Sequence, residues 1–211
     1  MAPISTLKNK LERLDFFDFV VARYNEDASW IYRVGLHWQD RIFIYNKGQD
    51  MGWGEEHLEN IGREGHTFVY HIIKNYYDLR KRTVFFQGDP LDHLKDHHIE
   101  AELGKAMIAK PPFSLLCGAC CLENNRDCIQ DTLAELFPIN FRPARIFFGP
   151  GGMFTATDEA IHARPIKFWQ HLYDMHARWN MDYPNGLPWM LERIWPIIFD
   201  PTIPHLEKFN D

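Results

Sequence analysis

The chain has 211 residues, of which 45% are hydrophobic, 15% aromatic and 25% charged. These values exclude a disordered chain and fit one globular domain whose core needs no disulfide or metal staple. Lys and Arg number 23 against 29 Asp and Glu, a net charge of −6. That excludes a nucleic-acid binder acting through a general basic surface and leaves anionic ligands only where positive groups converge locally.

Residues 4–14 read as a short amphipathic helix, and FFDFVVAR (Phe16 to Arg23) as a buried strand, being continuous, aromatic and β-branched. The acidic pair Glu26-Asp27 suits the start of a helix over 27–38. RIFIYN (Arg41 to Asn46) is a second strand, and the polar, Gly-rich stretch 48–62 a long loop. Between Arg63 and Leu79 the apolar residues Phe68, Val69, Ile72, Ile73 and Tyr76 recur at helical spacing. TVFFQ (Thr83 to Gln87) is a third strand, broken by Gly88-Asp89-Pro90. Helical stretches follow near 93–109 and 126–137, and RIFFG (Arg145 to Gly149) is a fourth strand. The stretch 157–181 is helical with a break at Pro165, and a last helix over 187–198 ends at Pro196. This order predicts an α/β sandwich with a largely parallel sheet.

No apolar run reaches the about 18 residues of a membrane span. The N-terminus lacks the apolar segment of a secretory signal. Cys117, Cys120, Cys121 and Cys128 fall within twelve residues without a second Cys/His pair at finger spacing, so they read as buried free thiols in a reducing cytoplasm rather than as a zinc site.

Open α/β sheets bind ligands beyond the carboxyl ends of their strands. Here those ends run into Arg23-Tyr24-Asn25-Glu26-Asp27, Tyr45-Asn46-Lys47-Gly48, Gln87-Gly88-Asp89 with Asp92-His93, and Gly149-Pro150-Gly151-Gly152. Asp89, Asp92 and His93 in one tight turn suit Mg²⁺ or Mn²⁺ with positions open for phosphate oxygens, or else cap the next helix. His97 and His98, close by, read as surface residues. Arg23 and Arg63 are candidate phosphate clamps, and Gly62 to His66 reads as a helix start able to hold an anion. There is no P-loop, GxGxxG or GxSxG motif, which removes kinase, dinucleotide-binding and serine-hydrolase readings. Glu192 lies among Trp189, Met190, Leu191, Ile194 and Trp195, where desolvation suits a general base, although pairing with Arg193 is the plain alternative.

The segments VVARYNEDASW, IYNKG, NIGREGHTFVYHII, VFFQGDPLDH, GGMFTAT with a later ARP, and PWMLERIWPIIF occur in this order over roughly residues 18–199. Together they resemble a family of fungal, bacterial and viral proteins that look like GT-A-type glycosyltransferases, and the pattern is similar to the N-terminal domain of a chlorovirus-encoded glycosyltransferase. The resemblance implies one GT-A-like domain over 1–211, α/β, with a single central, mostly parallel sheet flanked by helices on both faces. It implies transfer of a glucose- or rhamnose-like hexose from a UDP-sugar to a glycan or glycoprotein acceptor, with Mn²⁺ or Mg²⁺, in the cytoplasm (the host's for a viral chain). Where the family carries DxD, this chain reads Gln87-Gly88-Asp89, so Asp89 and His93 become the implied metal ligands. Arg23, Tyr24, Asn25, Tyr45, Asn46, Lys47, Arg63, Gln87 and Gly88 would face the nucleotide. Gly151, Gly152, Met153 and Trp189 would face sugar and acceptor, with Glu192 and Asp92 as catalytic groups. His66 and His205 are further candidates, and Trp53, Trp169 and Trp179 are candidate sugar platforms. Two other readings use the same residues: a metal-dependent phosphohydrolase built on Asp89, Asp92 and His93, and a non-catalytic nucleotide-sugar-binding module.

Overall fold

The computed structural model describes residues 16–34, 36, 41–94, 99–123, 127–138, 141–179, 182 and 186–210. The helix expected over 4–14 and the residues His97 and His98 lie outside them.

Strand β1 (Phe17–Arg23) is buried along almost its whole length because it lies between two parallel neighbours, β2 (Ile42–Asn46) and β4 (Arg82–Gln87). Its side chains alternate between two cores. Val20 faces one core together with Phe85 of β4, while Phe19 and Val21 face the other with Val84 and Phe86. Each such buried apolar side chain is worth about 1.5–3 kcal/mol.

A two-residue strand β3 (Glu56–His57) pairs parallel to β2, inside the stretch expected to be loop. Beyond β4 the direction changes. Strand β8 (Phe154–Thr157) runs antiparallel to β4 and to β5 (Phe113–Leu115), giving the order β3-β2-β1-β4-β8-β5. The expected mostly parallel sheet is therefore mixed. It is also not the single sheet: Arg145–Phe148, expected as a central strand, is β7 and pairs with β6 (Cys120–Glu123) in a separate two-stranded ribbon. The physical reason lies in the faces. Ile146 is buried while Arg145 and Phe147 are exposed, as in a half-covered strand, whereas Phe154, Thr155 and Ala156 are all fully buried between β4 and β5. Of the four cysteines, Cys117 is buried, while Cys120 and Cys121 are exposed on the ribbon, which corrects their reading as buried thiols.

Helix α1 (Trp30–Arg33) is shorter than expected, and Asp27 closes a turn onto the Ser29 N–H instead of opening the helix. Helix α2 (Arg63–Asn75) packs Phe68, Val69 and Ile72 on the sheet, and α3 (Ile99–Ile108) covers the opposite face with Ile99 and Leu103. Helices α4 (Asp127–Leu136), α5 (Asp158–His162), α6 (Ile166–Arg178) and α7 (Leu187–Ile198) complete the first layer. Pro165 separates α5 from α6, as expected. Pro196, expected to end α7, sits inside it. The two further residues are held by the buried Arg164, which donates to the carbonyls of Ile197 and Ile198.

Candidate functional site

The register places the carboxyl ends of β1, β2 and β4 side by side: Arg23 lies opposite Asn46, and Ala22 opposite Gln87. Arg23 locks the loops that follow. Its Nε donates to Glu26 O at 2.8 Å, and its Nη1 to Asn46 Oδ1 at 2.8 Å and Gln49 O at 2.6 Å. Asn25 Oδ1 accepts from Gln49 N–H at 2.8 Å. Gly48 permits the approach, since a Cβ there would lie 1.9 Å from Tyr24 O. Buried Asn46 and the clamp of Arg23 are thus first of all builders of the wall; Nη2 of Arg23, with no hydrogen bond among the described residues, is the edge left for a ligand.

Below these loops lies a cleft of about 340 Å³, within the size range of small-molecule sites. Its wall takes Ala22, Arg23, Tyr24 and Glu26 from the β1 end, Lys47 from the β2 end, and Gln87, Gly88, Asp89, Asp92 and His93 from the β4 end. Asn60, Arg63, Glu64 and Thr67 come from the start of α2. Nine of the residues expected to bind or react therefore share one cleft.

The others are placed differently. Tyr45 is buried: its hydroxyl meets His71 Nδ1 at 2.9 Å and its ring packs on Tyr70, because the side chain of this position points into the core between β2 and α2. Met153 is fully buried in the second core, where its backbone O accepts from Leu116 N–H. Neither can face a ligand. Asn25 and Asn46 support the wall without lining it. Gly151, Gly152 and Glu192 lie immediately behind the His93 side: a Cβ on Gly151 would meet His93 Cδ2 at 2.6 Å, and Glu192 Oε2 accepts from Gly151 N–H at 3.1 Å. Trp189 supports Arg63, whose guanidinium carbon stands 4.3 Å from the ring centroid. His66 is buried beside the cleft, and His205 sits with Arg164 and Asn210, away from it. Trp169 is core; Trp53 is exposed and packs edge-on to Tyr32.

The electrostatics are local. Burial pushes the Lys47 ammonium down to about 7, against the pull of Glu64. Its Nζ donates to Ile61 O at 2.6 Å and to Arg63 O, so the residue also braces the entrance to α2. No side chain caps that helix, and Gly62 and Arg63 both have positive φ there (63° and 49°). Thr67 is fully buried in the cleft wall with its Oγ1 unpartnered among the described residues. Burial, and then Glu64, raise the Glu192 carboxyl above the ordinary range.

Asp89 Oδ1 caps the 3-10 turn Pro90–Asp92 by accepting from Leu91 N–H at 3.0 Å, so the capping alternative holds for that oxygen. Asp89, Asp92 and His93 do not bring three donor atoms within 4.8 Å of one another. Among the described residues the trio that does is Asp50, Glu55 and His57 on the β2–β3 loop. There, burial pushes the Glu55 carboxyl up, but the N–H groups of Met51 and Trp53 outweigh it and hold it at about 2; the carboxylate closes the loop.

Asn60, Glu64 and Thr67 are polar cleft residues that the sequence reading missed, although all three lie in or beside the GREGH helix start; only the fold brings them to the cleft. Residues 19–110 match a family model described as "Protein of unknown function (DUF3431)", a span that contains every residue of the cleft wall. No curated protein and no solved structure matches the chain.

Proposed function

We propose that the chain is a glycosyltransferase with a GT-A-like fold that moves a hexose from a UDP-sugar to a glycan acceptor. One observation carries the reading. At the carboxyl ends of three parallel strands, a cleft of ligand size joins cationic groups (Lys47, Arg63 and the Nη2 edge of Arg23) to a carboxylate turn (Asp89, Asp92), with Tyr24 half-exposed at the rim.

Mg²⁺ and Mn²⁺ are commonly held by one or two carboxylates plus substrate phosphates. Asp89 and Asp92 fit that arrangement, and no three-ligand cage with His93 is needed. When bound, such an ion stabilises the charge that grows on a diphosphate leaving group. The protein's own groups do the rest. Lys47 and Arg63 hold the diphosphate oxygens. The Tyr24 ring offers a face for the base. Glu192, raised by burial and neighbouring charge, stands at the Gly151 turn behind His93 and is the candidate general base for an acceptor hydroxyl that reaches that turn.

Thermal unfolding tests both parts. UDP raises the melting temperature with Mn²⁺ or Mg²⁺ present and does so much less in EDTA, and Asp92→Asn removes the metal-dependent increment. Equal stabilisation in EDTA refutes the metal role; no stabilisation under either condition refutes the nucleotide reading.

A further inference from the structure

Two carboxylates from distant parts of the chain meet at one two-residue turn. Glu64, on the first turn of α2, lines the cleft with its side chain only 11% exposed. A Cβ on Gly152 would stand 3.7 Å from its Oε1. Glu192, on α7, accepts from the N–H of Gly151 at 3.1 Å. Glu64 therefore lines the cleft, and the Gly151-Gly152 turn with Glu192 lies directly behind it and His93. Lys47, whose Nζ donates to Arg63 O, and Arg63 itself stand next to Glu64 in the same wall.

Building on the glycosyltransferase reading, we infer that Glu64 is a specificity-determining residue, which admits a neutral sugar and rejects one bearing a carboxylate. Carboxylate oxygens accept hydrogen bonds from sugar hydroxyls but repel a second carboxylate, and repulsion against the wrong ligand is how a site discriminates between near-isosteres. The cation beside Glu64 is already paired with it. Arg63 Nε is 3.4 Å from Glu64 Oε2 and its guanidinium stacks on Trp189. The Arg193 guanidinium is bonded to Trp189 O and lies over the Phe148 ring. Lys47 Nζ donates to two backbone carbonyls.

The test is calorimetric titration of wild type, Glu64→Gln and Glu192→Gln with UDP, UDP-glucose and UDP-glucuronate at low and high salt. Gln keeps the shape of the side chain and removes its charge. Wild type is expected to prefer UDP-glucose by about tenfold or more, Glu64→Gln to narrow the preference to within about threefold, and added salt to narrow it in wild type. The ratio within each variant is its own control, because a loosened fold weakens both ligands together. Equal binding of the two UDP-sugars by wild type overturns this inference and leaves the glycosyltransferase reading standing. A preference that persists in Glu64→Gln assigns the selection elsewhere and also overturns it. Failure of UDP and both UDP-sugars to bind overturns both.

Discussion

Replacing Lys47 separates charge from shape in the cleft. With the ammonium pushed down to about 7, the free protein holds it mostly neutral at pH 8, and a diphosphate must recover the proton to gain the ion pair. Binding then takes up a proton, so UDP affinity falls by up to about tenfold per pH unit above 7. UDP itself is fully ionised above pH 7.5, its last phosphate titrating near about 6. A charge pair at about 4 Å and an effective dielectric of about 20 is worth about 4 kcal/mol; halving it for the rim's exposure to water leaves about 2 kcal/mol, or about thirtyfold in affinity. Lys47→Met should lose that factor near pH 7 and flatten the pH profile; Lys47→Arg, charged throughout, should flatten it while retaining affinity. Titration calorimetry between pH 7.5 and 9, in buffers of different ionisation enthalpy, counts the proton directly. A wild-type affinity independent of pH, or a slope that survives in Lys47→Met, refutes the argument. The ligand-free protein carries the complementary signature. The folded state disfavours the charged ammonium, so Lys47 subtracts from stability below pH 7, and that penalty is released as pH rises from about 7 toward the unfolded value of 10.5.

Three further outcomes concern the scaffold. Arg164 is 1% exposed and donates to the carbonyls of Ile197, Ile198, Asp200 and Ile203, so Arg164→Leu should cost about 4 kcal/mol in urea unfolding; a loss below about 1 kcal/mol would mean that water reaches those carbonyls. At Gly62, with φ 63°, a Cβ would stand 2.3 Å from His176 Cδ2, so Gly62→Ala should cost about 3 kcal/mol and lower the melting temperature, with UDP binding weakened because Lys47 braces the same turn. Burial holds the His66 and His176 imidazoles at about 3 and about 4, so their stability is intact above the unfolded value of 6.5 and is lost as pH falls toward those values: about 2 kcal/mol each at pH 5, read as the difference between urea curves at pH 7 and pH 5.

The strands that carry the cleft were legible because each is an uninterrupted apolar run ending in a polar cluster, and β1, β2 and β4 lie within a residue of their expected bounds. What the sequence could not convey was strand direction. Phe154–Thr157 is short and three-quarters threonine and alanine; only its enclosure between β4 and β5 makes it a sheet strand, and no local pattern encodes that it runs antiparallel. The same limit applies to the site. Position in a polar cluster identified Lys47, Asp89, Asp92 and His93 as cleft residues, but could not distinguish Lys47 from Tyr45, two positions away. In a strand successive side chains oppose one another, so residues 45 and 47 share a nominal face only while the strand continues; it ends at Asn46, and the backbone turn redirects Lys47 to the cleft. Glu64 was masked by its context, since an acidic residue in the first turn of a helix is adequately explained by the helix dipole alone.

If the cleft takes a diphosphate, as proposed, some positive charge has to face it, and the cations here are committed to internal bonds to different degrees. Arg164 spends its guanidinium on the end of α7, and Arg41 spends its own on Asp18 and Asp78 at the amino end of β1. Arg23 gives Nε and Nη1 to the loops and retains only one edge. Arg63 is stacked on Trp189, which fixes its direction, and is paired with Glu64. Field lines from so few charges are useful only if low-dielectric walls concentrate them, and the buried β1, β4 and α2 side chains beneath the cleft provide those walls. On the proposed reading, a phosphorylated sugar would set its phosphates against Lys47 and Arg63 and offer its hydroxyls to Glu64.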